Sequence, residues 1–290
     1  MVKRLDGRAV AEEICTTARA DSRALKAAFG ITPALAVILV GADPASVVYV
    51  NRKKKAAANA EISSVLLELP ADTGEQELLH LISQLNTNSD VHGILVQLPL
   101  PQGIDSDRIL DAIDPEKDVD GFHPVNVGRL SIGSGGLLPC TPLGCMILLE
   151  RVVKDFKGLN AVVIGKSNIV GKPVALLLLE RECTVTVTHI HTRGLADIVR
   201  AADILVVAAG VPGLVRGDWV KDGAIVIDVG INRIAAADGG TQIVGDVRAD
   251  EMDHAAFLTP VPGGVGPMTV ACLLANTVRA ANFQINSAAK

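Results

Sequence analysis

Aromatic side chains are almost missing from this sequence. One tryptophan, one tyrosine and five phenylalanines are all it has, 2% of 290 residues. The lone tyrosine, Tyr49, therefore stands out. Paired cysteines are missing too. Cysteines 15, 140, 145, 183 and 272 form no Cys-x-x-Cys pair and are odd in number, which fits reduced thiols in a cytoplasm. "CTPLGC" (140–145) has no histidines nearby, so no metal is expected there or elsewhere. Long apolar runs are missing as well. The best candidate, "ILVVAAGVPGLV" (204–215), is broken by Gly and Pro and is too short to span a bilayer. The N-terminal "MVKRLDGRAVAEEI" has basic residues but no apolar run behind them, so no secretory signal is expected. Nor is there an excess of positive charge. A formal net charge of -5 argues against a nucleic-acid partner.

What is present is 49% hydrophobic residues with 27 glycines and 14 prolines, the mix of a compact α/β protein with many tight turns. Short apolar runs alternate with helical patterns. "LAVILVG" (35–41), "SVLLEL" (64–69) and "GILVQL" (93–98) read as buried parallel strands, with helices over 44–61 and 74–86 between them. The Gly/Pro-rich segment 120–140 breaks the rhythm and reads as a connection between two domains. A second series follows, with strands at 160–165, 184–189, 204–208 and 224–229. Helices are expected at 142–153, 170–181 and 194–201, and an apolar helical stretch begins at 268. The expected fold is two α/β domains with a cleft between them, the second Rossmann-like.

"NAVVIGKSNIVGKPVALLLLE" (160–180) is a strand, a glycine turn and a helix. Gly165 allows the sharp turn, and the helix N-terminus offers free N–H groups to a pyrophosphate. The spacing is G-x-S-x-x-x-G, so the dinucleotide fingerprint is met only in part. The next strand runs into "THIHTR" (188–193), with Arg193 and no carboxylate, and Lys166 sits in the glycine turn. Basic groups without an acid favour a 2′-phosphate, and hence NADP over NAD. "IDVGINR" (227–233) offers backbone groups to the nicotinamide end.

In the first half, "YVNRKKK" (49–55) puts three lysines after the tyrosine. At 100° per residue, Tyr49 and Lys53 lie about 40° apart on one helix face. Lys54 and Lys55 are turned about 140° and about 240° away, which makes them a solvated face. "GILVQLPLP" (93–101) carries Gln97 beyond a strand's carboxyl end, where α/β folds hold ligands. "PEKDVDGFHP" (115–124) holds Asp118 and Asp120, and "TPVPGGVGPMT" (259–269) is a loop whose bare backbone suits a flat ligand.

Together, "YVNRK", "GILVQLPLP", "PEKDVDGFHPVNVGRL", "PCTP", "GKSNIVGKPVALLLL", "GAIVIDVGIN" and "TPVPGGVGPMTV" closely resemble the methylenetetrahydrofolate dehydrogenase/cyclohydrolase family. They run in the family's order from about residue 35 to residue 275. The resemblance implies oxidation of 5,10-methylenetetrahydrofolate by NADP+ and then hydrolysis of the methenyl product to 10-formyltetrahydrofolate. By match to the family's motifs, Lys53 is the central catalytic group, Gln97 holds it, Tyr49 stacks on the folate and Asp120 grips the pterin. Val96, Leu98 and the loop Pro262, Gly263, Gly264, Val265 and Gly266 join them in substrate binding. Gly165, Lys166, Ser167, Ile190, Arg193 and Ile231 bind the cofactor. Lys166 stands where many members carry Arg, so the charge is kept and the bidentate fork lost. A folate-binding domain over 1–138, completed by a helix over 268–290, an NADP-binding domain over 139–267, and a homodimer are implied as well.

Two other enzyme readings stay open: a dehydrogenase-only member of the family, and a generic NAD(P) dehydrogenase of a small hydroxy acid. The latter wants a histidine with a carboxylate partner, and its best candidate, His123, is better explained by folding. A non-enzymatic reading makes residues 52–55 a basic docking patch, with equal weight on all three lysines.

Overall fold

The computed structural model describes residues 1–235 and 239–288. In chain order the elements are β1 (Lys3–Arg4), α1 (Gly7–Phe29), β2 (Ala34–Val40), α2 (Pro44–Asn59), β3 (Ser63–Leu69), α3 (Glu75–Thr87) and β4 (Gly93–Val96). Next come α4 (Ser106–Asp111), α5 (Pro124–Ser131), α6 (Cys140–Glu150), β5 (Asn160–Ile164), α7 (Gly171–Glu180) and β6 (Thr184–Thr188). The chain continues with α8 (Leu195–Val199), β7 (Ile204–Val207), β8 (Ile225–Asp228), β9 (Asn232–Ala235), β10 (Thr241–Val244), β11 (Phe257–Leu258) and α9 (Val265–Ala288).

The chain divides into two compact units. One holds Met1–Ala11 and Thr141–Thr269, and the other holds Glu12–Cys140 with the chain from Val270 onward. The expected 1–138 domain thus loses its first residues. β1 pairs in parallel with β11 and belongs to the sheet of the other unit. Residues 120–140 are also more ordered than a plain connection. α5 sits in their middle, entered by His123, whose Nδ1 accepts the Val125 N–H at 3.1 Å, and by Pro124 in the first turn. His123 is therefore a helix cap.

Three parallel strands in the order β3-β2-β4 form the sheet of the second unit. β4 is buried along its whole length, and so is β2 beyond its first residue, as strands covered on both faces must be. Ile38, Ile94, Leu78 and Ile82 are fully buried against one another, each worth roughly 1.5–3 kcal/mol of transfer free energy. Because β3 and β4 flank β2 on opposite sides, the chain reverses direction across the sheet at β2/β4. The carboxyl ends of those two strands are then the natural ligand position.

The other unit carries a parallel sheet in the order β1-β11-β8-β7-β5-β6. Its reversal point lies at β5/β7, again at carboxyl ends. β9 and β10 form a separate antiparallel hairpin.

Candidate active site

Asp43 caps α2, its Oδ2 accepting the Ser46 N–H at 2.8 Å, and Pro44 opens the first turn. The phase of the helix is then fixed by what it buries: Ser46, Val50, Lys53, Ala57 and Ala60. That is a core-facing stripe with a lysine in the middle. Lys53 is 8% exposed, while Lys54 and Lys55 lie in solvent. Tyr49 is half-buried beside the stripe.

Lys53 Nζ donates to Gln97 Oε1 at 3.0 Å. Gln97 follows β4, and its own N–H donates to Ile38 O at 2.9 Å, so the β2/β4 pairing holds its backbone. Its side-chain Nε2 donates to Leu98 O at 2.8 Å. That bond commits the amide nitrogen to the chain and leaves the carbonyl oxygen for the ammonium. Val96 is buried, and Leu98, half-buried, precedes a cis bond to Pro99.

Asp120 reaches the same edge by another route. Segment 117–119 lies beside β4 through a parallel bridge between Ile94 and Asp118. Asp118 is 1% exposed, and it spends its carboxylate on the N–H groups of Gly121 and His123 and on the Asn126 amide. It organises the loop and is not offered to a ligand. Gly121 has φ +76, and a Cβ there would lie 2.5 Å from the Leu138–Pro139 peptide. Glycine is thus required directly after Asp120. Asn276 of α9 donates to Val119 O and Leu138 O, both at 2.9 Å, and closes the same segment from behind. Burial raises the Asp120 carboxyl above its ordinary range, and the charge of Lys53 opposes that rise. Burial, and then the Asp120 charge, push the neighbouring Cys140 thiol well above its own range, so Cys140 acts as an S–H donor to Val119 O.

In the six-stranded unit, Gly165 ends β5 with φ +129, and a Cβ there would meet Ala208 O at 2.3 Å. A Cβ on Gly171 would meet Gly165 O at 2.1 Å. Ser167 Oγ accepts the N–H groups of Val170 and Gly171 and shapes the turn into α7. The result is a bare backbone cradle at a reversal point, which fits a dinucleotide pyrophosphate. Lys166 and Arg193 are exposed, as are Ile190 beyond β6 and Ile231 beyond β8. All follow parallel strands of one sheet and so lie along its carboxyl edge. Pro262–Gly266 belong to this unit too: a tight turn is closed by Gly264 N–H to Pro260 O at 2.7 Å, and Val265 and Gly266 open α9. Among the described residues, no cluster of three or more His, Cys, Asp or Glu is placed to hold a metal. No helix among them is long and apolar enough to cross a membrane.

Sequence reasoning missed a pair of buried aspartates in this unit. Asp228 is 3% exposed and accepts N–H groups from Gly230, Asp246 and Val247. Burial pushes its carboxyl up to about 7, with the Asp246 charge adding to the rise and the three N–H donors opposing it. Asp228 also borders a cavity of about 450 Å3 shared with Gly213, Gly245 and Thr259, which gives its proton a path to solvent. An acid whose folded pKa exceeds its unfolded value stabilises the fold at low pH, and that stability is lost as pH rises through about 7. Urea unfolding of the wild type should lose about 3 kcal/mol from this source between about pH 5 and about pH 8. Asp228→Asn should lack that component, and equal slopes in the two proteins would exclude Asp228 as its origin.

A lysine–glutamine pair at the reversal point of one parallel sheet, and a glycine cradle with basic neighbours at that of the other, define a nucleotide-dependent enzyme with a separate catalytic unit. Comparison with known proteins narrows this. Residues 5–120 match the tetrahydrofolate dehydrogenase/cyclohydrolase catalytic domain, and residues 139–285 match the NAD(P)-binding domain of the same enzymes. The chain is 68% identical to the bifunctional protein FolD 1 of Rhizorhabdus wittichii, over 97% of this chain and 95% of that one. The crystal structure of the bifunctional methylenetetrahydrofolate dehydrogenase/cyclohydrolase FolD from Campylobacter jejuni is similar, with a TM-score of 0.94 at 49% identity, covering 98% of this chain and all of that one. The Trypanosoma brucei dehydrogenase-cyclohydrolase, solved with NADP and an inhibitor, gives a TM-score of 0.93 at 43% identity, covering 98% of each chain. The chain belongs to the tetrahydrofolate dehydrogenase/cyclohydrolase family.

Proposed function

We propose that Lys53 is the proton-transfer group of a bifunctional methylenetetrahydrofolate dehydrogenase and methenyltetrahydrofolate cyclohydrolase. The observation that carries this is the buried Lys53 ammonium, held at 3.0 Å by an amide that can only accept from it. Opening the methenyl cation requires a proton to leave water and another to reach a ring nitrogen, and one positioned amine can serve both steps. Gln97 orients that amine. Tyr49, on the same helix face, stacks on the folate. Asp120 accepts the adjacent N–H groups of the pterin, a match of one carboxylate to two donors. Val96, Leu98 and Pro262–Gly266 line the substrate.

Bound NADP+ would supply the hydride acceptor for the methylene carbon. Gly165, Ser167 and the start of α7 would hold its pyrophosphate, Lys166 and Arg193 its 2′-phosphate, and Ile190 and Ile231 its ring faces. The protein need supply no acid or base for that step, only orientation.

We assign the enzyme to the cytoplasm and to a homodimer. The dimer is supported by β6, the open edge of the six-stranded sheet. Val187 there is 46% exposed and Leu179 of the adjoining α7 is 58% exposed. A single species of monomer mass in sedimentation would exclude it.

The functional reading is tested by following methenyltetrahydrofolate absorbance in two assays. In one, methylenetetrahydrofolate is supplied with NADP+ or NAD+. In the other, methenyltetrahydrofolate is supplied alone. Formation with NADP+ and decay in the second assay are expected. Formation without enzyme-dependent decay would reduce the protein to a dehydrogenase only.

A further inference from the structure

The segment 245–247, "GDV", crosses the carboxyl edge of the six-stranded sheet as a strap. Asp246 at its centre is fully buried. Its Oδ2 accepts the N–H groups of Ala209 and Gly210 at 2.7 and 2.8 Å, in the loop after β7. Its Oδ1 accepts the Asn232 amide at 2.8 Å, in the segment after β8. A Cβ on Gly230 would lie 2.3 Å from the same Oδ1, so that loop packs directly on the carboxylate. Asp228 holds the strap itself through the N–H groups of Asp246 and Val247.

These contacts converge on two places. Ala209 follows Ala208, the residue against which Gly165 packs. Asn232 follows Ile231. We infer that Asp246 is a positioning residue of the cofactor site, tying the loop behind the glycine turn to the loop that carries Ile231. The assignment rests on the reading that Gly165–Ser167 and Ile231 flank bound NADP.

The chemistry supports a carboxylate at this point and no other group. Three donors from two loops converge on two oxygens, and only an acceptor at both oxygens satisfies them all. A buried carboxylate is costly unless its lone pairs are met, and here they are. An amide has one oxygen. Asp246→Asn keeps the shape but must turn its NH2 toward the 209–210 N–H pair, which leaves that loop without its acceptor, or toward Asn232, whose amide must then reverse and give up its bond to Val244 O.

The test measures NADP+ affinity of the full-length protein by titration calorimetry, and methenyltetrahydrofolate hydrolysis with no nucleotide present. Asp246→Asn should raise the NADP+ dissociation constant by about 10- to 100-fold, the cost of an unmet buried donor, while hydrolysis keeps its wild-type rate. Unchanged affinity would overturn the assignment. So would a parallel fall in affinity, hydrolysis and cooperative unfolding, because that marks a merely structural residue. If Asp246→Asn does not fold, Asn232→Ala frees Oδ1 alone and should weaken NADP+ binding by a smaller factor, with unchanged affinity again overturning the proposal. Wild-type protein that does not bind NADP+ would instead remove the underlying reading, and the assignment with it.

Discussion

Replacing Lys53 by alanine is expected to slow hydrolysis of methenyltetrahydrofolate by about 10²–10⁴-fold, the range a positioned acid–base group contributes. Lys54→Ala and Lys55→Ala should change it little. The asymmetry follows from helix phase. Lys53 lies in register with Val50 and Ala57 on the buried stripe, and its two neighbours point to water. A control separates chemistry from folding. Lys53→Met fills similar volume but leaves Gln97 Oε1 without its donor and Asp120 without the neighbouring cation, so some loss of stability is expected. A Met variant that still unfolds cooperatively well above the assay temperature but does not hydrolyse would locate the loss in the reaction. Hydride loss from the substrate needs no proton from Lys53, so the dehydrogenase should fall less. Equal hydrolysis rates in all three alanine variants would exclude Lys53 and favour a basic patch.

The same helix shows what was legible in the sequence. The helical pattern from residue 44 and the lysine spacing give its start and its phase without any structure. β2, β4, β5 and β7 were legible as well, because a strand covered on both faces is an unbroken apolar run. "ILVV" of β7 and "GILV" of β4 are buried throughout. What escaped notice had no such mark. α1 buries Ala11, Ala18, Ser22 and Leu25 at helical spacing, but small and polar residues make a faint stripe. β1 is two charged residues whose pairing comes entirely from β11. Segment 120–140 reads as glycine and proline, yet His123-Pro124 is a helix entry once the imidazole turns to cap it.

Within the candidate site, the residues proposed to face a ligand were legible and those that hold them were not. Gln97 stands at the end of an apolar run, and Lys53 is marked by Tyr49. Asp118, Asp228 and Asp246 have no local signature that separates them from surface aspartates. The two in the six-stranded unit depend on backbone N–H groups distant in sequence: Ala209 and Gly210 for Asp246, and Asp246 and Val247 for Asp228. Asn276 reaches Val119 across most of the chain. Only the closed fold brings such donors together.

Asp120→Asn should separate binding from proton transfer. A carboxylate can accept two adjacent N–H groups of a pterin, whereas an amide offers one acceptor and sets its own NH2 against the second donor. Losing one charge-assisted bond and leaving a donor opposed costs about 2–4 kcal/mol, or about 30- to 1,000-fold in KM for the folate. Both reactions use the same pterin, so KM should rise alike in both, whereas Lys53→Ala strikes hydrolysis first. NADP+ affinity, governed by the other unit, should not move. The substitution also removes the anion beside Lys53 and Cys140, so some loss in kcat for hydrolysis is expected beyond the common rise in KM. An Asn variant with wild-type KM in both reactions and a lower kcat in only one would remove Asp120 from substrate binding and place it with Lys53 in proton transfer.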